Sequence, residues 1–436
     1  MNRLNHCLAS TAVYLVVSIS AYGEAQAGAF ALREQSATGQ GLSFAGVAAG
    51  SGGLSSIFWN PATITMKPGW WSELHVTAIA PRVEITPTFG TNPFLLPLGS
   101  SGDAGLDAVV PTSYGSIQLT DRLWIGLYTG APFGLATKPG PVWSGQPYAR
   151  TTSVTSYEAE PTIGYKVNDW LSIGAGVRVQ YLDVRYKSAT GGVAAFTPWA
   201  PTGGLQGDSV GIGYSVGATL TPFAGTEIGI GFRSAIHHDI DGELNHLLPI
   251  KANIVLPETV TFGIRQQITG ALTLNGTVEW TNWSRLGFPR VHNALTGGLS
   301  PVPALPLGYD DGWFFSVGAE YRFTPALTLR AGVAYEISPI DERVRSPRLA
   351  DNDRIWLSLG AGYQWTENLS FDVGYSYIFA ANETKLRVVP GNPSYNPLVG
   401  PLVADVKSDT HIVSLALKYR WDNPQVAVPA AVVTRY

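Results

Sequence analysis

Three groups of side chains in this 436-residue chain have the types and spacing that chemistry would need. Gly213-Tyr214-Ser215-Val216-Gly217 fits the G-x-S-x-G pattern of serine hydrolases, which sets the nucleophile on a sharp strand-to-helix turn. His237-His238 with Asp239 and Asp241 offers metal-ligating groups at close spacing. Arg178, Arg185 and Arg330 are cations able to hold an anionic headgroup.

The segments that carry these groups decide among them. Ser215 lies inside an alternating run between Val210 and Leu220, with no turn to expose a nucleophile. Neighbouring side chains on a strand point to opposite faces, so His237 and His238 do not share a ligand sphere. No metal framework and no cofactor are expected. For the arginines two readings stand: headgroup contacts, or ion pairs inside a lumen with Glu279, Glu320, Glu336 and Asp372.

The elements that must position these residues are strands. Leu369, Phe371, Val373, Tyr375, Tyr377 and Phe379 alternate with Asn368, Ser370, Asp372, Gly374 and Ser376. Val413, Leu415, Leu417, Tyr419 and Trp421 alternate likewise with Ser414, Ala416, Lys418 and Arg420. Such period-two patterns give each segment one apolar and one polar face. Strands are predicted near 71–86, 107–120, 123–137, 151–167, 170–187, 206–222, 226–241, 252–268, 271–285, 311–324, 326–338, 353–366, 368–381 and 408–421. Short turns such as Asn168-Asp169, Thr269-Gly270 and Thr324-Pro325 alternate with loops of ten to twenty-five residues. That rhythm, with strands longer than the usual ~5–6 residues, predicts an all-β fold: a transmembrane antiparallel barrel of about fourteen strands. Trp170, Tyr321, Trp365 and Trp421 are placed to form its interfacial girdle.

Composition fits this architecture. Charged residues are 14% of the chain, against roughly 25% in soluble domains, while hydrophobic residues are 45%. A net charge of −4 gives no basic footprint, so nucleic acid is not an expected partner. Arg3, His6, the apolar run Ala12 to Val17 and Ala25-Gln26-Ala27 form a secretory signal peptide over 1–27; a retained anchor is the alternative. Cys7, the one cysteine, falls within it. Beyond it no run of ~18 apolar residues predicts a membrane helix. The expected organisation is leader 1–27, plug 28–70, barrel 71–421 and a short tail 422–436.

The segment from Gly28 to Trp70 is rich in Gly, Ala and Ser and lacks alternation, as a plug folded back into a wide lumen would; a loose extension is the alternative. Gly28-Ala29-Phe30, Glu34-Gln35-Ser36-Ala37, Phe44-Ala45-Gly46 and Asn60-Pro61-Ala62 resemble the hatch of the FadL/TodX family of outer-membrane transporters. Phe133-Gly134-Leu135-Ala136-Thr137, Leu256-Pro257-Glu258 and Asp353-Arg354-Ile355-Trp356-Leu357-Ser358 continue the likeness through the barrel. The resemblance implies a monomeric fourteen-stranded barrel in the bacterial outer membrane, with both termini periplasmic and a hatch carrying Phe44, Gly46, Asn60, Pro61 and Ala62. It further implies transport of long-chain fatty acids or hydrocarbons, caught outside, held in an internal pocket and released through a gap in the wall. The partners would be a hydrophobic small molecule and the surrounding lipid and lipopolysaccharide. A nonspecific porin and an outer-membrane lipid hydrolase are the competing readings.

Two features bear on that mechanism. Gly130, Pro132, Phe133 and Gly134 interrupt the third strand, where proline cannot donate to the ladder, marking a lateral gap or an ordinary bulge. Phe94, Leu95, Leu96, Leu305, Leu307 and Leu398 make the outer loops apolar, as an initial docking surface or a self-packed lid. Leu42, Val47 and Ser51-Gly52-Gly53-Leu54 depart from the charged hatch positions of the family. Asp310-Asp311 stand where a fatty-acid transporter can place a lysine. These departures weaken the fatty-acid assignment more than the transporter assignment.

Overall fold

A computed structural model describes residues 29–305 and 307–422. The expected leader with Cys7, and the tail beyond Asp422, lie outside the described residues. No helix among them is long and apolar enough to cross a membrane; the structure is a wall of strands.

The wall begins with β1 (Trp70–Pro87), β2 (Ala108–Thr120), β3 (Leu123–Gly130), β4 (Gly134–Thr137), β5 (Thr151–Lys166), β6 (Leu171–Ala189) and β7 (Thr202–Phe223). It continues through β8 (Thr226–Arg233), β9 (Ile236–Leu244), β10 (Leu248–Leu256), β11 (Thr259–Gln267), β12 (Leu272–Thr281), β13 (Arg290–Asn293) and β14 (Leu299–Ala304). It ends with β15 (Gly312–Arg322), β16 (Leu327–Ile337), β17 (Arg354–Gln364), β18 (Leu369–Ala380), β19 (Thr384–Val388) and β20 (Leu402–Arg420). Segments such as β3 and β4, or β8 and β9, are successive parts of one stave, so the wall has fourteen antiparallel staves. β20 pairs with β1 from Arg420 opposite Trp71 to Ala404 opposite Pro87, which closes the barrel by joining its first and last staves.

Three details depart from the sequence reading. The seventh and eighth staves are each broken, at Ser234-Ala235 and at Pro257-Glu258. They are joined by the tight turn Asn245-His246-Leu247, with positive φ at Asn245 and His246, where a long loop is expected. The hairpin β13–β14 prolongs its staves through residues read as loop. One physical cause covers the first two. Below the breaks the apolar residues face outward, as Ile230, Phe262 and Ile264 do. Above them Ile240, Ile250 and Ile254 turn inward while His237, Asp239 and Asp241 face out. The staves run beyond the lipid, where water is outside and an apolar chamber inside, so the alternation changes phase.

Residues 29–69 occupy the lumen. Their one short helix, α1 (Ala37–Gln40), starts at Ser36, whose Oγ accepts from Gly39 N–H at 2.9 Å. Three 3₁₀ turns follow, Val47–Ala49, Gly53–Phe58 and Pro61–Met66. Asn60 opens the last: its Oδ1 accepts from Ala62 N–H at 3.0 Å, and Pro61 takes the first position, where no N–H is needed. Opposite this segment the wall presents glycines in register, Gly164–Gly174–Gly217–Gly231 across four staves and Gly318–Gly332 and Gly360–Gly374 on the far side. A Cβ on Gly174 would stand 2.5 Å from Ala62 N, and one on Gly374 2.5 Å from Ala37 O. Only bare backbone lets the plug and wall approach this closely.

Candidate functional site

The third stave carries the break that matters. β3 stops at Gly130 and β4 resumes at Gly134, pairing along its length with β5 and, at Thr137 alone, with Gly105 ahead of β2. On the other side β2 pairs with β3 no farther than Ser113, and its stretch Ala108 to Thr112 pairs with β1 alone. The wall is therefore unpaired between β2 and β4. The plug's first residues fill the space as a short added strand. Leu32 N–H donates to Pro132 O at 2.8 Å, Gly134 N–H donates to Phe30 O at 2.9 Å, and Ala31 lies opposite Phe133.

Gln35 secures the next turn of this strand. Its Nε2 donates to Ala131 O at 2.9 Å, and Tyr128 OH donates to its Oε1 at 2.8 Å. Tyr114 OH donates to Gln35 O at 2.7 Å. Phe133 is held from the wall side by Ser156, whose Oγ accepts its N–H at 2.9 Å.

Behind the break lies a cavity with about 60 Å³ of space open to the centre of a water molecule. Leu32, Phe58, Trp59, Phe133, Trp283 and Phe314 give it apolar walls. Phe30, Phe133 and Trp283 pack edge-on or tilted, with the Phe30–Trp283 centroids 4.8 Å apart.

Its charges are paired. Arg178 Nη2 is 2.9 Å from Glu158 Oε2, and Arg233 Nη1 is 2.8 Å from Glu160 Oε2. Arg233 also pairs with Glu158 and lies 4.0 Å above the Phe58 ring. Arg330 is held by Glu320 at 2.9 Å and Asp372 at 2.5 Å. Both of these predicted headgroup cations thus form ion pairs inside the lumen. Arg185, expected inward, faces out with Tyr181 and Val179 on the same face of β6, because its odd position shares their phase.

Ser215 Oγ donates to Glu160 at 2.5 Å, deep in the wall and away from any turn. His238 faces in and meets Gln180 Oε1 at 3.1 Å, while His237 is exposed. The expected hatch residues Phe44, Gly46, Asn60, Pro61 and Ala62 are all in the lumen. Phe44 packs against Trp356 at 6.0 Å, and Gly46 at φ 73° donates its N–H to Thr277 Oγ1 at 2.8 Å.

The outer loops divide between the two expectations. Phe94 and Leu398 are exposed and Leu96 partly so. Leu95 and Leu305 are buried, and Leu307 packs against the cluster around Leu305 and Tyr309, which corrects their reading as surface residues. The loops are tied together: Asn92 Nδ2 donates to Val399 O at 2.6 Å, and Ser144 N–H to Gly99 O at 3.0 Å.

Arg33, Glu158, Glu160, Arg233 and Trp283 escaped the sequence reading. Glu158 and Glu160 share the inward phase of β5 and were detectable by it. Arg33 stands in irregular backbone, where no periodicity assigns a side, and Trp283 opens a short 3₁₀ turn, Trp283–Leu286, within a segment read as strand to residue 285.

A closed fourteen-stave barrel with its own N-terminal segment in the lumen and a gap in one stave defines an outer-membrane transport barrel. Residues 17–421 match the family described as outer membrane protein transport protein (OMPP1/FadL/TodX), and the chain belongs to it. Members are bacterial outer-membrane transporters of fatty acids and hydrocarbons, not enzymes. The chain is 26% identical over 427 residues to outer membrane protein P1 of Haemophilus influenzae, covering 87% of this chain and 90% of that one. It is 27% identical over 393 residues to the long-chain fatty acid transport protein of Salmonella typhi, covering 81% and 88%. Among solved structures, a Pseudomonas aeruginosa FadL homologue superposes with a TM-score of 0.80 at 24% identity, over 91% of this chain and all of that one. The Ralstonia pickettii toluene transporter TbuX gives 0.62 at 18%, over 89% and 100%. These likenesses show the shared fold.

Proposed function

We propose that the chain moves a hydrophobic molecule from the outer surface into the aromatic cavity and out sideways between β2 and β4. The observation that carries this reading is the added strand at residues 30–32. Two backbone hydrogen bonds hold it across the break, so its withdrawal opens the wall without disturbing any stave. Exposed Phe94, Leu96 and Leu398 serve as the first contact for cargo. The long-chain acyl class is favoured by the names of the sequence relatives, the fatty acid transport protein among them. Trp70 and Trp421 meet at the short-turn end, with Trp421 N–H donating to Trp70 O at 2.8 Å, which supports periplasmic termini. The protein acts as a monomer in lipid and lipopolysaccharide, a reading supported by the pairing of its first and last staves within one chain, which leaves no terminal strand for a second copy to extend. A plugged lumen argues against the porin reading, and the Ser215–Glu160 bond against the hydrolase.

The test is a disulfide between Ala31→Cys and Phe133→Cys, which face each other across the added strand. Cells lacking their own fatty-acid transporter should take up oleate through the reduced protein and not through the oxidised one. Uptake by the oxidised protein would remove the lateral exit.

A further inference from the structure

Arg33 ends the added strand and reaches across the cavity to the opposite wall. Its Nη1 is 2.5 Å from Glu279 Oε1 on β12, and its guanidinium lies 3.8 Å over the Phe314 ring on β15. Its other edge is almost unused. Nη2 is 3.6 Å from Glu336 Oε1, beyond hydrogen-bond distance, and Nε is buried with no hydrogen-bond partner. Nε and Nη2 are the pair of donors that a carboxylate takes side-on, in two parallel bonds. A buried donor left unmade is costly, so this edge is primed for an acceptor.

Glu336 does not depend on Arg33. Its Oε2 accepts from Trp356 Nε1 at 3.0 Å and lies 3.1 Å from Arg354 Nη2. Glu279 accepts from Thr261 Oγ1 at 2.7 Å, but Arg33 is its one cation among the described residues. The hatch strand is thus tied to the far wall through Arg33 and Glu279, while Glu336 can yield its place without being left unpaired.

We propose that the Nε–Nη2 edge of Arg33 is a docking site for the anionic headgroup of the cargo, and that docking frees the hatch strand. The carboxylate enters in place of Glu336 and forms two charge-assisted bonds to Arg33. The guanidinium then turns from Glu279 toward the cargo, and the strand at residues 30–32 loses its anchor beside the break in β3–β4. An uncharged hydrocarbon fills the same aromatic cavity without moving Arg33. The site rests on the lateral-exit reading for its purpose, and its readout is hatch exposure, not uptake.

The experiment follows the rate at which a charged maleimide modifies Ala31→Cys in the full-length purified protein. It is run with oleate, with hexadecane and with neither, on Arg33, Arg33→Lys and Arg33→Gln backgrounds, each checked for a folded barrel by heat-modifiable gel mobility. Oleate should raise the rate at least about fivefold, the low end for coupled sites, and hexadecane should leave it unchanged. Arg33→Gln should be fast without oleate and indifferent to it. Arg33→Lys, a cation without the planar fork, should respond only at higher oleate, and Glu336→Gln at lower oleate than the parent. An undiminished oleate response in Arg33→Gln, or an equal response to hexadecane, overturns the proposal. Failure of lateral exit would show instead as uptake through the oxidised Ala31→Cys/Phe133→Cys protein.

Discussion

The side chain of Asn60 lies directly against Gly217 of β7. Its Nδ2 donates past that residue to Ala218 O at 2.9 Å and back to Ala48 O at 2.7 Å, while its Oδ1 caps Ala62. One amide thereby joins two turns of the plug to the wall. A Cβ on Gly217 would collide with Oδ1. Gly217→Val should therefore unseat the plug while the barrel still closes. Overpacking of this kind costs ~1–3 kcal/mol. Protease cleavage within residues 40–66 of the folded barrel measures it, and a plug as resistant as the parent's would refute the docking role.

Asn60→Ala removes the cap and both side-chain donations, to Ala48 O and to Ala218 O. The cap alone is worth ~1 kcal/mol, so the loss should exceed that figure. The midpoint of plug release in urea reads it directly, and Asn60→Asp, which keeps the cap but not the donor, should fall between.

Arg233 bridges Glu158 and Glu160, with Arg178 sharing Glu158. Breaking such a buried group by removing one member typically costs ~3–5 kcal/mol. Arg233→Met should destabilise by about that amount, and adding Glu160→Gln should return part of it. Equal loss in single and double variants would show that the pairs are not coupled.

Phe94→Asp or Leu398→Asp should raise the half-saturating concentration for oleate uptake several-fold with the maximal rate kept. Leu95→Asp and Leu305→Asp should instead reduce folded protein, since both side chains are buried. Uptake kinetics and surface abundance, measured on the same cells, separate the two pairs.

Glu34 lies in the plug, fully buried, with neither carboxylate oxygen hydrogen-bonded. Burial pushes its carboxyl up from 4.5 to about 7, with Arg33 and Arg354 opposing and Glu336 adding to the rise. The seated plug therefore binds a proton that the released segment gives up between these two values. Seating should weaken as pH rises from 4.5 to 7 and change little above. Comparing plug release at pH 5 and pH 8 tests this, and Glu34→Gln should abolish the difference.

The staves were readable because each residue inside the lipid band has one of two solvents beside it, as Leu369 to Phe379 display. The reading failed where that rule changes. Above the membrane Ile240 and Ile254 turn inward and Asp239 and Asp241 outward, so the start of β10 and the turn at Asn245 went unseen. Prolines 301 and 303 hid β14. In the plug, motif likeness located Asn60 and Phe44, but position inside the lumen depends on the wall glycines, whose role no local pattern reveals. Arg33 was invisible for the same reason: its partners stand more than two hundred residues away.

The band of wall glycines has one more consequence, an electrical one. Where these glycines meet the plug, the wall is bare backbone and the plug itself fills the space. If the whole plug departed, the protein would become a water-filled hole able to short-circuit the membrane's selectivity. The structure instead sets a small piece held by two backbone hydrogen bonds, residues 30–32, beside a larger one packed on the wall glycines. On the proposed lateral exit, the flank opens to an oily passenger while the rest of the plug keeps the bore filled.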